Sequence, residues 1–297
     1  MFDRFFQQSI AIRILCGCII ATTISFLLFA VFYAIAPTSD GLNGLNLLSH
    51  NTLNDDERWC VLYILSAETI CIFLVPAIIL LTALYRNPSE ILHKNTQQQI
   101  QTSTLIIILI LLAITNIPGV NLLSEINTQS LLAIIGEDST QWLNFLKMEA
   151  FTENLVSSDM LLTNIVCMAL IPAVCEELFF RGFLQTIAIS VFRNAHIAIV
   201  STALIFSILH GDIFNLVPRF ALGVFLGYVY LYSRKIVIPM LAHFLHNALV
   251  VCAASQSDLS TVLDTIGTTD NKPLLGIASL LILTGFVILL IKKLRTN

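Results

Sequence analysis

Long runs of apolar residues are the feature that most restricts how this chain can fold. A helix needs about 20 mostly apolar residues to cross the hydrocarbon layer of a membrane. The 297 residues are 57% hydrophobic and only 11% charged, and the mean hydropathy of +0.86 is higher than a water-soluble surface tolerates. We predict an all-α fold, a polytopic membrane helix bundle of about eight transmembrane helices. The predicted spans are 9–36, 60–85, 104–123, 160–180, 196–212, 218–233, 236–254 and 274–291.

The positions of the basic residues predict the orientation of this bundle, because cytoplasmic loops collect Lys and Arg near the span ends. With eight spans and the N-terminus inside, eleven of the 15 basic residues fall on the cytoplasmic side. These are Arg4, Arg13, Arg86, Lys94, Arg181, Arg193, Arg234, Lys235, Lys292, Lys293 and Arg295, whereas Arg58, Lys147, Arg219 and Lys272 fall outside. Both termini are therefore predicted to be cytoplasmic, and the loops 37–59 and 124–159 to be external.

The whole chain, 1–297, is predicted to be one integral membrane domain, because its loops are too short for a second domain. The first apolar stretch lacks a small-residue cleavage site and is interpreted as a span rather than a signal peptide. No internal repeat, nucleotide-binding loop or basic patch for nucleic acid is present. The seven cysteines show no CxxC spacing and are interpreted as packing residues rather than zinc ligands. They are Cys16, Cys18, Cys60, Cys71, Cys167, Cys175 and Cys252.

Charged side chains interrupt the apolar run VCEELFFRGF at 174–183. An ionisable side chain at the bilayer centre costs about 2.5–3.5 kcal/mol and is tolerated where it faces the bundle interior or a wet cavity. Glu177 and Arg181 are spaced as an i,i+4 ion pair, whereas Glu176 lies about 100° around the helix. Glu176 is then free to act as a general base in a poorly solvated cleft. Alternatively, the run is an interfacial turn held by the ion pair, with Glu176 facing water.

Two further polar clusters come from later spans. His210 ends the apolar run in FSILHGD, where it is either a catalytic residue or a hydrogen-bonded residue at a span end. In PMLAHFLHNAL, His243 and Asn247 share one helix face and can donate hydrogen bonds to the same oxygen, as an oxyanion site requires. Alternatively, the two residues hold neighbouring helices together. His246 points away from this face and is either an auxiliary site residue or a packing residue.

The depth of these residues in the membrane decides whether they can meet. His243 lies about 12 Å into its span, measured from Lys235 at about 1.5 Å per residue. Glu176 would lie near the cytoplasmic end if the fourth span stopped at 180. We therefore predict that the fourth helix continues through RGFLQTIAISVF toward Arg193, which places Glu176 deeper and Arg181 inside the protein.

Two other features of the spans bear on packing. Gly223 and Gly227 form a small-xxx-small pair, which allows two helix backbones to approach closely. We interpret the pair as packing that brings the fifth, sixth and seventh spans together. Glu68 in the second span either lines the same cavity or reaches the outer surface.

The three motifs EExxxR at 176–181, FxxxH at 206–210 and HxxxN at 243–247 together resemble the CPBP family of intramembrane proteases. This family contains the CAAX prenyl endopeptidases and the bacteriocin-processing or Abi proteins. The resemblance covers 150–255, a CPBP-like catalytic core, whereas the spans within 1–125 are interpreted as accessory. It implies an active site within the membrane, opening to the cytoplasmic side, that cleaves a membrane-associated protein or peptide.

Residue roles follow from the resemblance by matching position. Glu176 and His210 would activate a water molecule, and His243 and Asn247 would stabilise the tetrahedral intermediate, with Glu177 and Arg181 in support. The family is often labelled metalloprotease, and Glu176, His210 and His243 are alternatively a two-His, one-carboxylate zinc site. No HExxH motif is present, so metal dependence stays open.

The predicted function is therefore an intramembrane endopeptidase in the lipid bilayer. The chain carries no eukaryotic targeting sign, so a bacterial inner (plasma) membrane is the expected location. A proton-coupled transporter with a polar relay is a second class of function, but transporters typically show internal repeats, and none is visible. A third class is a non-catalytic interaction or bacteriocin-immunity protein. Intact motifs at all three positions argue against such a decayed site.

Overall fold

The computed structural model describes residues 9–36, 53–84, 109, 116–144, 146, 155–156, 158–256 and 265–295. Within these ranges the fold is all-helical, as predicted. Its long helices are α1 (Ile10–Ala34), α2 (Asp55–Leu84), α3 (Ile117–Ile135), α4 (Leu161–Phe192), α5 (Ala195–Leu209), α6 (Leu216–Ser233), α7 (Val237–Ala254) and α8 (Pro273–Arg295).

Six of these helices are long and apolar enough to cross a membrane, namely α1, α2, α4, α6, α7 and α8. These six candidate spans agree with the predicted polytopic helix bundle, whereas the predicted count of eight spans is not confirmed. Helix α5 has 15 residues and is shorter than the predicted span 196–212. Most of the third predicted span, 104–123, lies outside the described residues.

Helix α3 corrects the prediction of an external loop over 124–159, because it continues without interruption to Ile135. Its Asn, Ser and Glu side chains lower the hydropathy, so a search for apolar runs ends before the helix does. The local signals of a helix are nevertheless present. Pro118 lies in the first turn, and Gly136 ends the helix with a φ of 81°, a conformation that favours glycine.

Helix α4 is 32 residues long and ends at Phe192, which confirms the predicted extension beyond residue 180. Two segments of α4 have the wider turn of a π-helix, Ile165–Leu170 and Leu178–Gln185. Pro172 follows the first segment, and a proline inside a helix has no N–H to donate and clashes with the preceding turn. The second segment begins directly after the glutamate pair, and π-helical turns are frequent at functional sites.

Helices α5 and α6 form an antiparallel pair at close range. A Cβ atom added at Gly223 would lie 3.0 Å from Ala203 Cβ, and one added at Gly227 would lie 2.8 Å from Ile199 Cγ2. Gly227 also lies close to Gln185 of α4, whose Nε2 donates a hydrogen bond to the Gly227 carbonyl over 3.1 Å. The glycine pair therefore packs α6 against α5, as predicted. The sequence interpretation also expected α7 beside these glycines, but their second neighbour is α4.

Two smaller predictions concern side chains outside the motifs. All seven cysteines are free thiols, and Cys60, Cys71 and Cys175 are buried. Glu68 is exposed on α2, on the face that also carries exposed Leu65 and Ile72. Of the two alternatives for Glu68, the structure supports the outer surface.

Candidate active site

The glutamate pair lies in the middle of α4 and is buried. Glu176 is 6% exposed and Glu177 is 0% exposed, so the alternative of an interfacial turn with Glu176 in water is wrong. Arg181 is 2% exposed. Its predicted place among the cytoplasmic charges is therefore also wrong, because α4 continues to Phe192 and keeps Arg181 inside the bundle.

Glu177 connects α4 to α7. Its Oε1 atom accepts one hydrogen bond from Arg181 Nη1 over 2.8 Å and another from His243 Nδ1 over 3.0 Å. Arg181 Nη2 donates to the carbonyl oxygen of Gly223 over 3.0 Å. The predicted i,i+4 pair is present, and its two members also fix α7 and α6 against α4.

Phe206, the first residue of the FxxxH motif, lies among the polar side chains of the site. Its carbonyl accepts a hydrogen bond from His210 Nδ1 over 2.7 Å. Its ring lies 5.1 Å from the Arg181 guanidinium carbon, within the range of a cation–π contact, and its centroid is 6.0 Å from that of His243. The sequence interpretation gave Phe206 no role, although its position four residues before His210 was the available signal.

Two imidazole nitrogens face the same carboxylate oxygen. Glu176 Oε2 lies 3.8 Å from His210 Nε2 and 4.0 Å from His243 Nε2. This oxygen is buried and has no hydrogen-bond partner in the described part of the chain. A carbonyl and a carboxylate can only accept, so the Nδ1 atoms of His210 and His243 carry protons, and in the neutral rings both Nε2 atoms present lone pairs. A water molecule has two hydrogens and can donate them to two of these three acceptors, Glu176 Oε2 and His210 Nε2 among them.

The other polar residues of α7 lie beside this centre. Asn247 is half-buried one turn beyond His243. Its side chain forms no hydrogen bond within the ranges that the structure describes, so its amide is available to a ligand. His246 has a partner outside the three motifs, since its Nδ1 lies 3.2 Å from Nδ2 of Asn116, immediately before α3. This contact joins α7 to the start of α3, so His246 helps to pack these two helices, and it leaves the auxiliary role of His246 as a prediction.

The placement of these side chains gives no support to a bound metal ion. In the described ranges, no group of three or more His, Cys, Asp or Glu side chains is placed to hold one. This geometry does not support the alternative of a zinc ion on Glu176, His210 and His243.

The site is exposed at one end of the bundle. His210 and Gly211 are exposed, whereas Glu177 and His243 are buried. Helix α5 begins beside Arg193 and ends before His210, and α6 returns to Arg234. The exposed rim therefore lies at the end opposite the turns at Arg193 and Arg234. The sequence predicted that these turns are cytoplasmic and also that the site opens to the cytoplasm. The two predictions cannot both be right, because the turns and the exposed rim lie at opposite ends of the bundle.

Comparison with known proteins identifies the segment that carries the motifs. Residues 158–249 match the family described as type II CAAX prenyl endopeptidase Rce1-like. This match confirms the resemblance of the segment to the CPBP family. The chain is 32% identical over 93 residues to the uncharacterised protein YpbD of Bacillus subtilis (strain 168). That alignment covers 30% of this chain and spans 44% of the relative's length. No solved structure matches the chain.

Proposed function

We propose that the protein is an intramembrane endopeptidase that hydrolyses a peptide bond of a membrane-associated protein or peptide. One observation carries this proposal. His210 Nε2 at the end of α5 and His243 Nε2 of α7 lie 3.8 and 4.0 Å from Glu176 Oε2 of α4, a buried carboxylate oxygen that lacks a hydrogen-bond partner in the described residues. The Rce1-like segment supports the same class of reaction.

In the proposed reaction, a water molecule donates its two hydrogens to Glu176 Oε2 and His210 Nε2. Glu176 accepts a proton as the water oxygen forms a bond to the peptide carbonyl carbon, and the carbonyl oxygen becomes an oxyanion. The C–N bond then breaks, and the proton passes to the departing amine. A general base placed in this way contributes about 10²–10⁴-fold to the rate.

His243 and Asn247 would stabilise the oxyanion. Since His243 Nδ1 already donates to Glu177, its Nε2 can donate only when the ring carries two protons. The doubly protonated ring, together with Arg181, would face the carboxylate of Glu177 and the developing oxyanion. Buried charges are stable when paired in this way. Asn247 needs no proton transfer because its amide is always a donor.

The proposed location is a bacterial inner (plasma) membrane, and similarity to a Bacillus subtilis protein supports a bacterial source. The lipid bilayer and a membrane-associated peptide are then the partners. No step of the proposed reaction passes through a metal ion, because the placement of the described side chains gives no support to one.

Cleavage of internally quenched membrane peptides, with and without a prenylated cysteine, tests the proposal in detergent and in liposomes. Glu176→Gln should lower the cleavage rate about 10²-fold or more. The matched control is Glu68→Gln, which changes an exposed glutamate of α2 and should keep the wild-type rate. A zinc chelator should leave the rate unchanged.

Wild-type activity in Glu176→Gln would show that this carboxylate is not the base. Loss of activity with the chelator would contradict the metal-free reaction but not the protease. A wild-type protein that cleaves none of the peptides in either medium would favour a non-catalytic interaction protein.

A further inference from the structure

Helix α3 lies outside the family-matched segment 158–249, yet its side chains bond to several elements around the site. We propose that α3 positions the loop that carries His210 relative to α7, and that Asn127 is the main positioning residue. This inference rests on the proposed function, because positioning matters only if His210 acts in the reaction.

Asn127 holds the loop between α5 and α6 by its backbone. It is 7% exposed, and its Nδ2 donates to the carbonyl oxygens of Ile213 over 2.9 Å and Phe214 over 2.6 Å. Its Oδ1 accepts from the backbone N–H of Val217 over 3.4 Å. Both hydrogens of the amide are thus used on a loop that is 86 residues away in sequence.

Hydrogen bonds within the loop also hold its backbone, so we expect its attachment to α3 to constrain the end of α5 that carries His210. Asp212 Oδ1 accepts from the backbone N–H groups of Phe214 and Asn215, and its Oδ2 accepts from Arg219 Nη1 over 2.9 Å. Ser124 Oγ of α3 donates to Asn215 Oδ1 over 2.7 Å. His210 lies two residues before Asp212, where α5 ends and this loop begins.

The other contacts of α3 hold the helix in place. Asn116, at its start, lies 3.2 Å from His246, the neighbour of Asn247. Asn121 Nδ2 donates to the carbonyl of Ile266 over 3.0 Å, and Glu125 accepts from the backbone of Thr269 over 2.7 Å. Helix α3 therefore connects the water-activating histidine with the helix that carries the oxyanion pair.

The expected effect follows from the precision that catalysis needs. A displacement of about 1 Å, caused far from the reacting atoms, can lower a rate about 10²-fold. Asn127 does not touch the reacting atoms and acts through the loop. Its loss should therefore lower kcat and leave KM almost unchanged, since Asn127 is buried and its amide is bonded to the loop.

The test compares Asn127→Leu, which keeps a similar volume, with Gln129→Leu, which removes an exposed amide whose hydrogen bond, to Glu125 Oε1 over 3.0 Å, stays within the same helix and leaves Glu125 Oε2 on Thr269. Peptide cleavage gives kcat and KM, and hydrogen exchange reports on the backbone of 211–217. We expect Asn127→Leu to lower kcat at least about tenfold with KM within about twofold. Exchange of 211–217 should become faster, and that of α7 should not change. Gln129→Leu should match the wild type in all these quantities.

A wild-type kcat in Asn127→Leu, or wild-type exchange at 211–217, would overturn the proposal. If Asn127→Leu does not fold, Ser124→Ala decides instead, with an expected loss of about threefold in kcat and faster exchange at Asn215. Unchanged exchange in that variant would likewise overturn it. If the wild type cleaves no peptide, the proposed function has failed, and the exchange measurement still shows whether α3 holds the loop.

Discussion

At the scale of single residues, the buried carboxylate of Glu177 accepts hydrogen bonds from two side chains. Its Oε1 atom accepts from Arg181 and from His243. Removing one partner of a buried ion pair costs about 3–5 kcal/mol, because the other charge is left uncompensated. An exposed pair is worth about 0–1 kcal/mol. The buried pair should therefore matter far more to stability than a surface pair of similar length.

Arg181→Met should lower the thermal stability of the purified protein strongly, because the buried Glu177 would lose its main partner. Arg58→Met is the matched control. Arg58 pairs with Asp55 over 2.9 Å, and the Asp55 side chain is 70% exposed, so we expect a small change. Thermal unfolding in one detergent measures both, and equal melting temperatures for the two variants would contradict the importance of the buried pair.

Asn247→Ala should lower the cleavage rate about 10²–10³-fold, the usual effect of removing one oxyanion donor. The fold should survive, because the Asn247 side chain forms no hydrogen bond within the described residues. Peptide cleavage and circular dichroism together measure the effect. Normal turnover by a folded Asn247→Ala protein would end the role proposed for this amide.

The residue-scale contacts show what sequence spacing can predict. The pair Glu177–Arg181 was predictable because i and i+4 face each other on any helix. The bond from Arg181 to the Gly223 carbonyl joins residues 42 apart, and that from His243 to Glu177 joins residues 66 apart. No local pattern encodes such distances. The resemblance grouped the motifs, but it did not specify these bonds.

At the scale of helices, the contact between α5 and α6 depends on the absence of side chains. A Cβ atom at Gly223 would lie 3.1 Å from the backbone Cα of Ala203. Backbone cannot rotate away as a side chain can, so the helices must separate. Separation would also lengthen the hydrogen bond from Arg181 to the Gly223 carbonyl.

Gly223→Ala should therefore lower both the melting temperature and the cleavage rate. Gly285→Ala in α8 is the matched control, since a Cβ atom there meets nothing within 4 Å. Alanine favours a helix over glycine by about 1 kcal/mol, so the control should equal the wild type or exceed it in stability. A Gly223→Ala protein as stable and active as Gly285→Ala would refute the close-packing account.

The helices also show where hydropathy fails as a guide. The extension of α4 followed from the need to bring Glu176 to the depth of His243, and α4 does reach Phe192. Helix α3 was missed because Asn121, Ser124 and Asn127 lower its hydropathy. Those side chains bond to other parts of the protein. Polar residues that form tertiary contacts lower the mean hydropathy of a helix, so a search for apolar spans does not detect its full length.

At the scale of the whole molecule, the antiparallel helices give the bundle two distinct ends. Arg193 and Arg234 mark one end, and the loop after His210 marks the other. Helix α6 joins the two ends over 18 residues, which is about 27 Å at about 1.5 Å per residue. The basic turns favour the cytoplasm for their own end, so the exposed rim of the site should face the opposite side.

Cysteine labelling tests this orientation. In a background without the native cysteines, Ile213→Cys and Lys235→Cys should react with a membrane-impermeant maleimide from opposite sides. Lys235→Cys should react only in inverted vesicles, where the cytoplasmic face is outside. Labelling of both positions from the same side would contradict the antiparallel arrangement, and a reversed pattern would instead place the exposed rim in the cytoplasm.

The central claim is that Glu176 directs hydrolysis of a peptide bond inside the membrane. The most direct measurement is mass spectrometry of a membrane peptide incubated in H₂¹⁸O with the wild type and with Glu176→Gln. We expect one internal cleavage by the wild type, with a single ¹⁸O atom in the new carboxylate, and no such product from Glu176→Gln. New termini formed equally by both proteins, or none formed by the wild type, would contradict it.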